Sequence, residues 1–417
     1  MKTSAYGQIV ERWDIQFLKN LCVPGGIQTG PFGSQLHQKD YLPVGTPIIT
    51  VEHLGENRIV HEDLPRISDE DKDRLSRYIM RKGDIIFSRV GSVDRRSLVR
   101  NQEDGWLFSG RCLRVRPDPK KVNPDFLSWF FGLEAFKDYI RRIAVGATMP
   151  SLNTEILSNV PIVVPPLHEQ RAIADVLGSL DDKIELNRRM NATLESMARA
   201  VFKAWFMENE EAKGWKIGQI KDLGDVVCGK TPPTNDKENY DGDIPFITIP
   251  DMHNKVFITQ TRKTLSEKGA QTQSKKTLPV FAICVSCIAT PGLVSLTTKP
   301  SQTNQQINNL VPNDKKSVFY CYYALRALAD EIRARGSGGS VVVNLNKGQF
   351  EILPVVIPPA TKLHEFQEQV EPLFLRLLAN ENESRTLAAL RDALLPRLMS
   401  GEVRVKADKT NSPIEKG

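Results

Sequence analysis

One segment of the sequence fits a motif for nucleotide chemistry. Residues 224–231 read Gly-Asp-Val-Val-Cys-Gly-Lys-Thr and match the G-x-x-x-x-G-K-[ST] pattern of a phosphate-binding loop. Such a loop must run directly into a helix, because the first N–H groups of that helix hold the phosphates. Here Pro232 and Pro233 follow at once, and a proline disfavours helical backbone in the residue before it. We therefore interpret the segment as a turn that binds no nucleotide.

A second pattern could bind a metal or support redox chemistry. Cys284 and Cys287 have the C-x-x-C spacing, but no second pair lies at the spacing that structural zinc requires. Both cysteines fall within the uncharged stretch 277–298, which is long enough to raise the question of a membrane helix. Because this stretch contains two prolines and several serines and threonines, it predicts buried strands and a turn instead. We expect no metal site and no membrane span here.

Basic residues are concentrated at similar places in the two halves of the chain, around segments 85–92 and 283–292. Basic side chains neutralise phosphates, and arginine can also bind the edge of guanine through two hydrogen bonds. We predict nucleic-acid binding, and the alternative is a solvated charged surface. The residues predicted to contact nucleic acid are Arg89, Arg95, Arg96, Arg100 and Arg111 in the first half, and Lys263, Lys275, Lys276 and Thr290 in the second.

These clusters belong to an internal repeat. Residues 146–166 align with 339–359 at a constant offset of 193, so that Leu152 falls on Leu345. Further upstream, Pro-Ile-Ile-Thr-Val matches Pro-Phe-Ile-Thr-Ile at an offset of 198. Such a repeat predicts two homologous strand-rich halves, each ending in Pro-Pro and followed by a helix.

The two helices that follow carry apolar residues alternately four and three positions apart, which is the spacing of a coiled coil. Two amphipathic helices packed on separate cores are the alternative, but the apolar stripe is too narrow and too long for that. If the helices pair antiparallel, Asn187 and Asn380 meet and fix the register. The predicted seam comprises Leu177, Leu180, Ile184, Asn187 and Leu194 on the first helix, and Val370, Leu373, Leu377, Asn380 and Leu387 on the second.

Composition limits the class of protein. The chain has 417 residues with a net charge of +6, and it is 40% hydrophobic and 25% charged, which predicts a soluble globular protein of two or three domains. Six scattered cysteines and the absence of a signal peptide favour a cytoplasmic location. The predicted organisation is a first domain at 1–165, a central helix at 166–207, a second domain at 208–357, a C-terminal helix at 358–405 and a disordered tail at 406–417.

Several of these segments resemble the specificity (S) subunit of type I restriction–modification enzymes. Residues 165–174, Pro-Pro-Leu-His-Glu-Gln-Arg-Ala-Ile-Ala, and 180–195 resemble the central region of that family, and 394–405 resemble its C-terminal ending. Residues 229–234 and 243–252 are similar to the opening of a target-recognition domain. The resemblance covers nearly the whole chain, although the start of the second helix at 364–367 departs from the pattern at 168–171.

The resemblance implies an α+β fold with two repeated, mixed α/β target-recognition domains. Two long helices, paired as an antiparallel coiled coil with pseudo-two-fold symmetry, would join them. Each domain would read one half of a split, asymmetric site in double-stranded DNA. The helices would set the spacer between the half-sites and dock two modification (methyltransferase) subunits.

The resemblance also implies that the chemistry belongs to partners. Modification subunits would bind S-adenosylmethionine and methylate adenine, and a motor–nuclease restriction subunit would use ATP and Mg²⁺. This chain would be non-catalytic, with no cofactor of its own. Two alternatives remain open at this point. An enzyme would bind ATP or S-adenosylmethionine unaided, and a plain helical scaffold would show no sequence-selective DNA affinity when its partners are present.

Overall fold

The computed structural model describes residues 1–32, 35–329, 332 and 345–405. Contacts between residues divide the chain into two compact units. Unit 1 contains Met1–Ile184 and Thr386–Gly417, and unit 2 contains Glu185–Arg385. Both boundaries fall inside long helices, so each unit holds one α/β repeat and part of each helix. We call residues 1–165 repeat 1 and residues 208–357 repeat 2.

A four-stranded antiparallel sheet forms the centre of repeat 1. Its strands are, in spatial order, Gln28–Thr29, Cys112–Val115, Ile85–Ser88 and Arg96–Leu98. Because successive side chains of a strand point to opposite faces, Ile85 and Phe87 pack into one core while Ile86 packs into another. The smaller sheets are Arg66–Ile67 with Thr46–Ile49 and Leu107–Phe108, Lys2–Ser4 with Gly7–Ile9, and Asp14–Phe17 with Pro161–Val164.

Short helices cover the sheet of repeat 1. Pro124–Phe130 begins where the Asn123 side chain accepts a hydrogen bond from the Phe126 amide, and proline occupies its first turn. Its aromatic residues pack into the larger core of unit 1. The other α-helices are Leu18–Leu21, Asp69–Arg74, Glu134–Ile143 and Thr154–Ser158, and the 3₁₀ turns are Gln38–Asp40, Val51–His53, Ser76–Tyr78 and Asn101–Glu103.

Repeat 2 has the same plan around a five-stranded sheet. The strand order is Gly224–Cys228, Ile307–Pro312, Ile283–Ser286, Val294–Thr297 and Phe257–Ile258, the last pairing parallel to its neighbour. Ile283 and Val285 face one core while Cys284 faces another, as in repeat 1. The smaller sheets are Lys263–Leu265 with Tyr240–Ile247 and Gln302–Thr303, and Lys216–Gln219 with Pro354–Ile357.

Short helices also occur in repeat 2. Val318–Ala327 is ten residues long, as Glu134–Ile143 is in repeat 1, and it carries the tyrosines of the larger core of unit 2. Among the described residues of repeat 2, other α-helices are Ile220–Leu223, Ile249–Met252, Glu267–Gln271 and Lys347–Glu351, and the 3₁₀ turns are Glu210–Gly214, Lys237–Asn239, Ser274–Lys276 and Lys315–Ser317.

Two long helices follow the repeats. The central helix is Leu167–Phe202, extended by a π-helical turn at Lys203–Met207, and the C-terminal helix is Ala360–Ser400. Within unit 1, Ile173 and Leu177 of the central helix share a core with Leu398 and Met399 of the C-terminal helix. The chain direction of one helix runs opposite to the other at this contact.

The sequence repeat corresponds to a structural repeat. The Leu152 amide donates to the Arg89 carbonyl at 2.8 Å, and at the matching position the Leu345 amide donates to the Cys287 carbonyl at 3.0 Å. The predicted α+β fold with two strand-rich repeats and paired long helices is therefore confirmed. The predicted domain boundaries stay predictions, and the tail at 406–417 lies outside the described residues.

Candidate nucleic-acid interface

The predicted arginines of repeat 1 lie near one end of the central sheet. Arg89 follows strand Ile85–Ser88, Arg95 precedes strand Arg96–Leu98, and Arg111 precedes strand Cys112–Val115. Because these strands are antiparallel neighbours, the end of the first lies beside the beginnings of the other two. We call residues 30–32, 89–95 and 109–111 the strand-end edge of repeat 1.

Arg89 is held in place at this edge. Its Nη1 donates to the Gly110 carbonyl at 3.0 Å, and its guanidinium lies 5.1 Å from the centre of the Phe32 ring. Residues 110 and 31 can approach this closely because residue 110 is glycine. A Cβ at this position would lie 2.2 Å from the Pro31 carbonyl oxygen and clash with it. Phe32, which the sequence reasoning missed, is 51% exposed and stands beside the predicted arginines.

Arg95 and Arg111 are exposed. Arg95 Nη2 donates to the Leu54 carbonyl at 2.5 Å, and the Arg111 carbonyl accepts from the Arg89 amide at 2.8 Å. The Arg111 side chain makes no hydrogen bond or ion pair with the described residues. It therefore offers a guanidinium that can bind an external anion.

Arg96, one of the residues predicted to contact nucleic acid, does not lie at the surface. Its side chain is buried, and Nε donates to the Ser128 carbonyl at 3.1 Å. Burial lowers the pKa of this guanidinium to about 10, in part offset by the Glu56 carboxylate. A side chain enclosed in this way cannot contact DNA, so we withdraw Arg96 from the interface.

Arg100 points toward the central helix instead of the strand-end edge. Its guanidinium lies 3.6 Å from Asp181 and 3.9 Å from Asp182. Arg58 binds the same two carboxylates, at 2.7 and 2.6 Å. Burial alone would lower the pKa of Arg58, but these carboxylates reverse the shift and leave the pKa above its usual value. Arg100 is therefore part of an ion-pair cluster within unit 1.

Repeat 2 has an equivalent strand-end edge with different side chains. Thr290 lies between strands Ile283–Ser286 and Val294–Thr297, it is exposed, and its carbonyl accepts from Ser286 Oγ at 2.6 Å. The loop after strand Gly224–Cys228 brings exposed Lys230 to the same edge. Thr231 Oγ1 donates to Gln305 Oε1 at 2.6 Å, so that loop contacts the segment preceding strand Ile307–Pro312.

The three predicted lysines of repeat 2 lie elsewhere. Lys263 begins a strand of the small sheet, and Lys275 and Lys276 lie in the 3₁₀ turn Ser274–Lys276. Lys263 and Lys275 are exposed, whereas Lys276 is partly buried. The structure thus does not bring them together with Thr290 at the strand-end edge. Lys230, which sequence reasoning discarded along with the phosphate-loop motif, occupies that edge.

The segment that matches the phosphate-loop motif lies on a strand and on the loop that follows it. Residues 224–228 form a strand because they pair with 308–312, so the interpretation of the whole segment as a turn was wrong.

Cys284 and Cys287 are buried, and burial raises the pKa of the Cys287 thiol to about 11. Among the described residues, no three His, Cys, Asp or Glu side chains are arranged to hold a metal ion. None of the helices described is long and apolar enough to cross a membrane.

The seam asparagines are in contact within unit 2. Asn187 Nδ2 donates to Glu383 Oε2 at 2.8 Å and lies 3.4 Å from the Asn380 carbonyl oxygen. Asn380 Nδ2 donates to Asn191 Oδ1 at 2.8 Å, and Asn191 Nδ2 donates to the Leu377 carbonyl at 3.3 Å. Residue numbers increase along the central helix as those of the contacting residues on the C-terminal helix decrease, so the two helices pair antiparallel.

The apolar seam residues differ in burial. Leu177, Val370 and Leu377 are buried, as are both asparagines. The partly buried seam residues are Leu180, Ile184, Leu194, Leu373 and Leu387. Because polar groups satisfied in one register would be left unpaired in another, the asparagine cluster makes a shift of register costly.

Comparison with known proteins places these features in a family. The family described as type I restriction modification DNA specificity domain matches residues 17–196 and 212–384. The HindI type I restriction enzyme specificity subunit of Haemophilus influenzae is 33% identical, over 83% of this chain and 92% of that protein. The MjaIX specificity subunit of Methanocaldococcus jannaschii is 25% identical, over 97% of this chain and 96% of that protein.

A solved structure shares the fold. The crystal structure of a type I restriction–modification S subunit from M. genitalium superposes with a TM-score of 0.63. The two proteins are 15% identical, and the match covers 94% of this chain and 98% of that one. The fold is thus retained although most side chains differ.

Proposed function

The chain belongs to the type I restriction–modification DNA specificity family, and we propose that each of its two repeats contacts one half of a bipartite, asymmetric DNA site. As a specificity subunit it selects the target sequence and performs no catalytic step. The two repeats share a backbone frame but differ in the side chains at the strand-end edge. Different side chains at matching positions are what two different half-sites require.

The observation that carries the proposal for repeat 1 is the convergence of Arg89, Arg95 and Arg111 near the ends of three neighbouring strands. Arg89 is fixed by the Gly110 carbonyl and by Phe32, so its guanidinium loses little conformational freedom when it binds. Arg95 and Arg111 are exposed and available for phosphates or guanine. Phe32 adds an exposed ring that can contact a base step.

In repeat 2 we assign the DNA contacts to two groups. Thr290, Lys230 and Gln305 lie at the strand-end edge, where hydroxyl and amide groups can bind base edges. Lys263, Lys275 and Lys276, which lie outside that edge, remain proposed as contacts to phosphates. Phosphate contacts supply affinity and position, whereas base contacts supply sequence preference.

The helices are proposed to set the distance between the half-sites. The hydrogen bonds among Asn187, Asn191 and Asn380 favour one antiparallel register. A fixed register gives a fixed separation between two domains attached to the same helices. The spacer in the DNA site would follow from that separation.

A type I specificity subunit works in a complex with DNA and other subunits. We assign two modification subunits to the helices, and to them the S-adenosylmethionine and the methylation of adenine. Motor–nuclease restriction subunits would supply ATP- and Mg²⁺-dependent translocation and cleavage. A cytoplasmic location is part of the same proposal.

Single-molecule mapping of methylated adenines in the host genome tests the proposed function. The genome is mapped with the gene present, with the gene deleted, and with the deletion complemented by the wild-type gene or by an empty vector. We expect a split, asymmetric motif that disappears on deletion and returns only with the gene. An identical set of methylated sites in all four strains, with the modification subunits expressed, would contradict the proposal.

A further inference from the structure

Unit 1 contains a buried carboxylate bound by several arginines. Asp181 of the central helix has a side chain only 5% exposed. Its Oδ2 accepts from Arg58 Nε at 2.7 Å, and its Oδ1 accepts from Arg391 Nη1 at 3.1 Å. The Arg100 guanidinium lies 3.6 Å from Oδ2. Three guanidinium groups thus surround one carboxylate.

Further carboxylates balance the charge of the arginines. Asp182 binds Arg58 at 2.6 Å, Asp392 binds Arg391 at 2.9 Å, and Glu56 lies 4.0 Å from Arg391. These three carboxylates are mostly exposed, whereas Asp181 is enclosed at the centre of the cluster. Asp181 is therefore the group on which the geometry of the cluster depends.

The arginines come from three separate parts of unit 1. Arg58 lies in the loop between Leu54 and Ile59 of repeat 1, Arg100 follows the edge strand Arg96–Leu98, and Arg391 lies on the C-terminal helix. Asp181 consequently ties repeat 1 to both helices. An ion pair with well-placed hydrogen bonds is directional, so it fixes an angle as well as a contact.

The same loop also reaches the strand-end edge. Ser97 Oγ donates to the Arg58 carbonyl at 2.8 Å and lies 3.2 Å from the Gly55 carbonyl oxygen. Arg95, which we assign to DNA, donates to the Leu54 carbonyl. Residues 54–58 therefore connect a proposed DNA contact at one end to Asp181 at the other.

Packing alone does not require this arrangement. Phe374, which occupies the position 193 residues after Asp181, makes the corresponding helix contact in unit 2 with aromatic rings. Replacing a buried ion cluster by apolar residues is often neutral or stabilising. The cluster is therefore not explained by net stability alone, and its directional hydrogen bonds suit it to positioning.

We propose that Asp181 is a positioning residue that holds the strand-end edge of repeat 1 at a fixed orientation on the helices. This rests on the proposed function, because orientation matters only if the helices set the DNA spacer. Weakening the cluster lets the edge tilt, so sites whose half-sites are one base pair too close or too far become acceptable. The preference within each half-site is unaffected, because the contacting side chains remain.

The test uses the complex assembled with its modification subunits, carrying either wild-type chain or Asp181→Asn. Methylation rates are measured on duplexes with the mapped half-sites and with the native spacer or a spacer one base pair shorter or longer. We expect the variant to lose about tenfold in preference for the native spacer, the factor expected when a charge-assisted hydrogen bond is lost. Its preference for the mapped half-sites over singly substituted ones should match that of the wild type.

Asp175→Asn is the matched control, because it makes the same chemical change at an exposed position of the same helix. It should retain the wild-type spacer preference. Arg100→Gln is a milder lesion for the case in which Asp181→Asn does not fold, since Arg100 is the most distant of the three arginines. It should relax the spacer preference in the same direction but by less.

The outcomes separate the two proposals. A wild-type complex with no spacer preference overturns the proposal that the helices set the spacer, and the role of Asp181 with it. A wild-type preference that survives unchanged in Asp181→Asn overturns the role of Asp181 alone. Arg100→Gln that weakens methylation equally at every spacer, with a smaller salt dependence, would make Arg100 a DNA contact and also overturn that role.

Discussion

Repeat 1 places Arg89 and Arg111 at backbone positions where repeat 2 has Cys287 and Gln306. The Arg89 amide donates to the Arg111 carbonyl at 2.8 Å, and the Cys287 amide donates to the Gln306 carbonyl at 2.9 Å. The strand ends thus share a hydrogen-bonding frame. The frame fixes where side chains emerge and leaves their chemistry open, so one fold can carry two arginines in repeat 1 where repeat 2 has a thiol and an amide.

A parallel difference occurs where each repeat meets the helices. In unit 1, Asp181 is bound by arginines. In unit 2, Phe374 stacks on Phe319 with ring centres 4.0 Å apart and planes at 14°, and Phe257 and Tyr322 meet it edge-on. Aromatic packing buries a large apolar area, whereas ion pairs provide directional hydrogen bonds at the cost of desolvation. We therefore expect unit 2 to depend on Phe374 for stability.

The largest expected effect follows from removing that ring. Phe374→Ala deletes a side chain that is 2% exposed, so unit 2 should lose about 3–5 kcal/mol in free energy of unfolding. Hydrogen exchange measured peptide by peptide should show faster exchange across the sheet and helices of unit 2. Peptides from repeat 1 should exchange as in the wild type.

Leu375→Ala is the control for this prediction. Leu375 is the next residue on the same helix and is 47% exposed, so its truncation should change the free energy of unfolding by no more than about 0.5 kcal/mol. Equal protection of unit 2 in Phe374→Ala and Leu375→Ala would mean that the aromatic cluster does not hold this repeat on the helices.

A second prediction concerns a carboxyl group in unit 2 that lacks the compensation Asp181 has. Glu381 Oε2 is buried and has no hydrogen-bond partner among the described residues. Burial raises the pKa of Glu381 to about 7, with Glu195 adding to the shift and Lys255 opposing it. In the unfolded chain a glutamate titrates near 4.3. The folded state therefore loses stability from this group as the pH rises from about 4.3 to about 7.

Glu381→Gln removes the ionisation and should stabilise unit 2 at pH 8 by up to about 3 kcal/mol. The gain should shrink toward pH 5, where the wild-type carboxyl is protonated in the folded protein. Denaturant unfolding at pH 5 and pH 8, monitored by hydrogen exchange, measures the difference in free energy of unfolding between the variant and the wild type. Glu368→Gln, at an exposed position on the same helix, is the control and should show no pH-dependent gain. A gain in Glu381→Gln that is equal at both pH values would refute the ionisation argument.

The repeat and the long helices could be predicted from the sequence because both depend on regular spacing. Matching segments at a constant offset fold alike, and apolar residues at coiled-coil spacing form one stripe whatever surrounds them. The same reasoning predicted that Asn187 and Asn380 lie side by side in the helix pair, as the structure has them. Periodicity is local information, and local information is what a sequence displays directly.

The side chains of the interface could be predicted only in part. Arg96 and Arg95 are neighbours in sequence, yet one is buried against the Ser128 carbonyl and the other is exposed. That difference depends on which helix covers the sheet, and spacing alone does not determine it. Lys230 was overlooked for a related reason. The sequence did not show that the loop after strand Gly224–Cys228, which carries Lys230, lies at the same edge as Thr290, because that depends on the strand pairing.

The smallest expected effects distinguish a charged contact, Arg111 in repeat 1, from an uncharged one, Gln305 in repeat 2. Arg111→Ala removes an exposed guanidinium, so the slope of log affinity against log salt for the cognate duplex should fall in magnitude by about one. Gln305→Ala removes an uncharged group, so the slope should stay unchanged while base preference in one half-site weakens by about 1 kcal/mol. Both are measured on the assembled complex with matched and singly substituted duplexes. If Gln305→Ala changes the salt slope as Arg111→Ala does, Gln305 does not act as an uncharged contact to a base and this assignment is wrong.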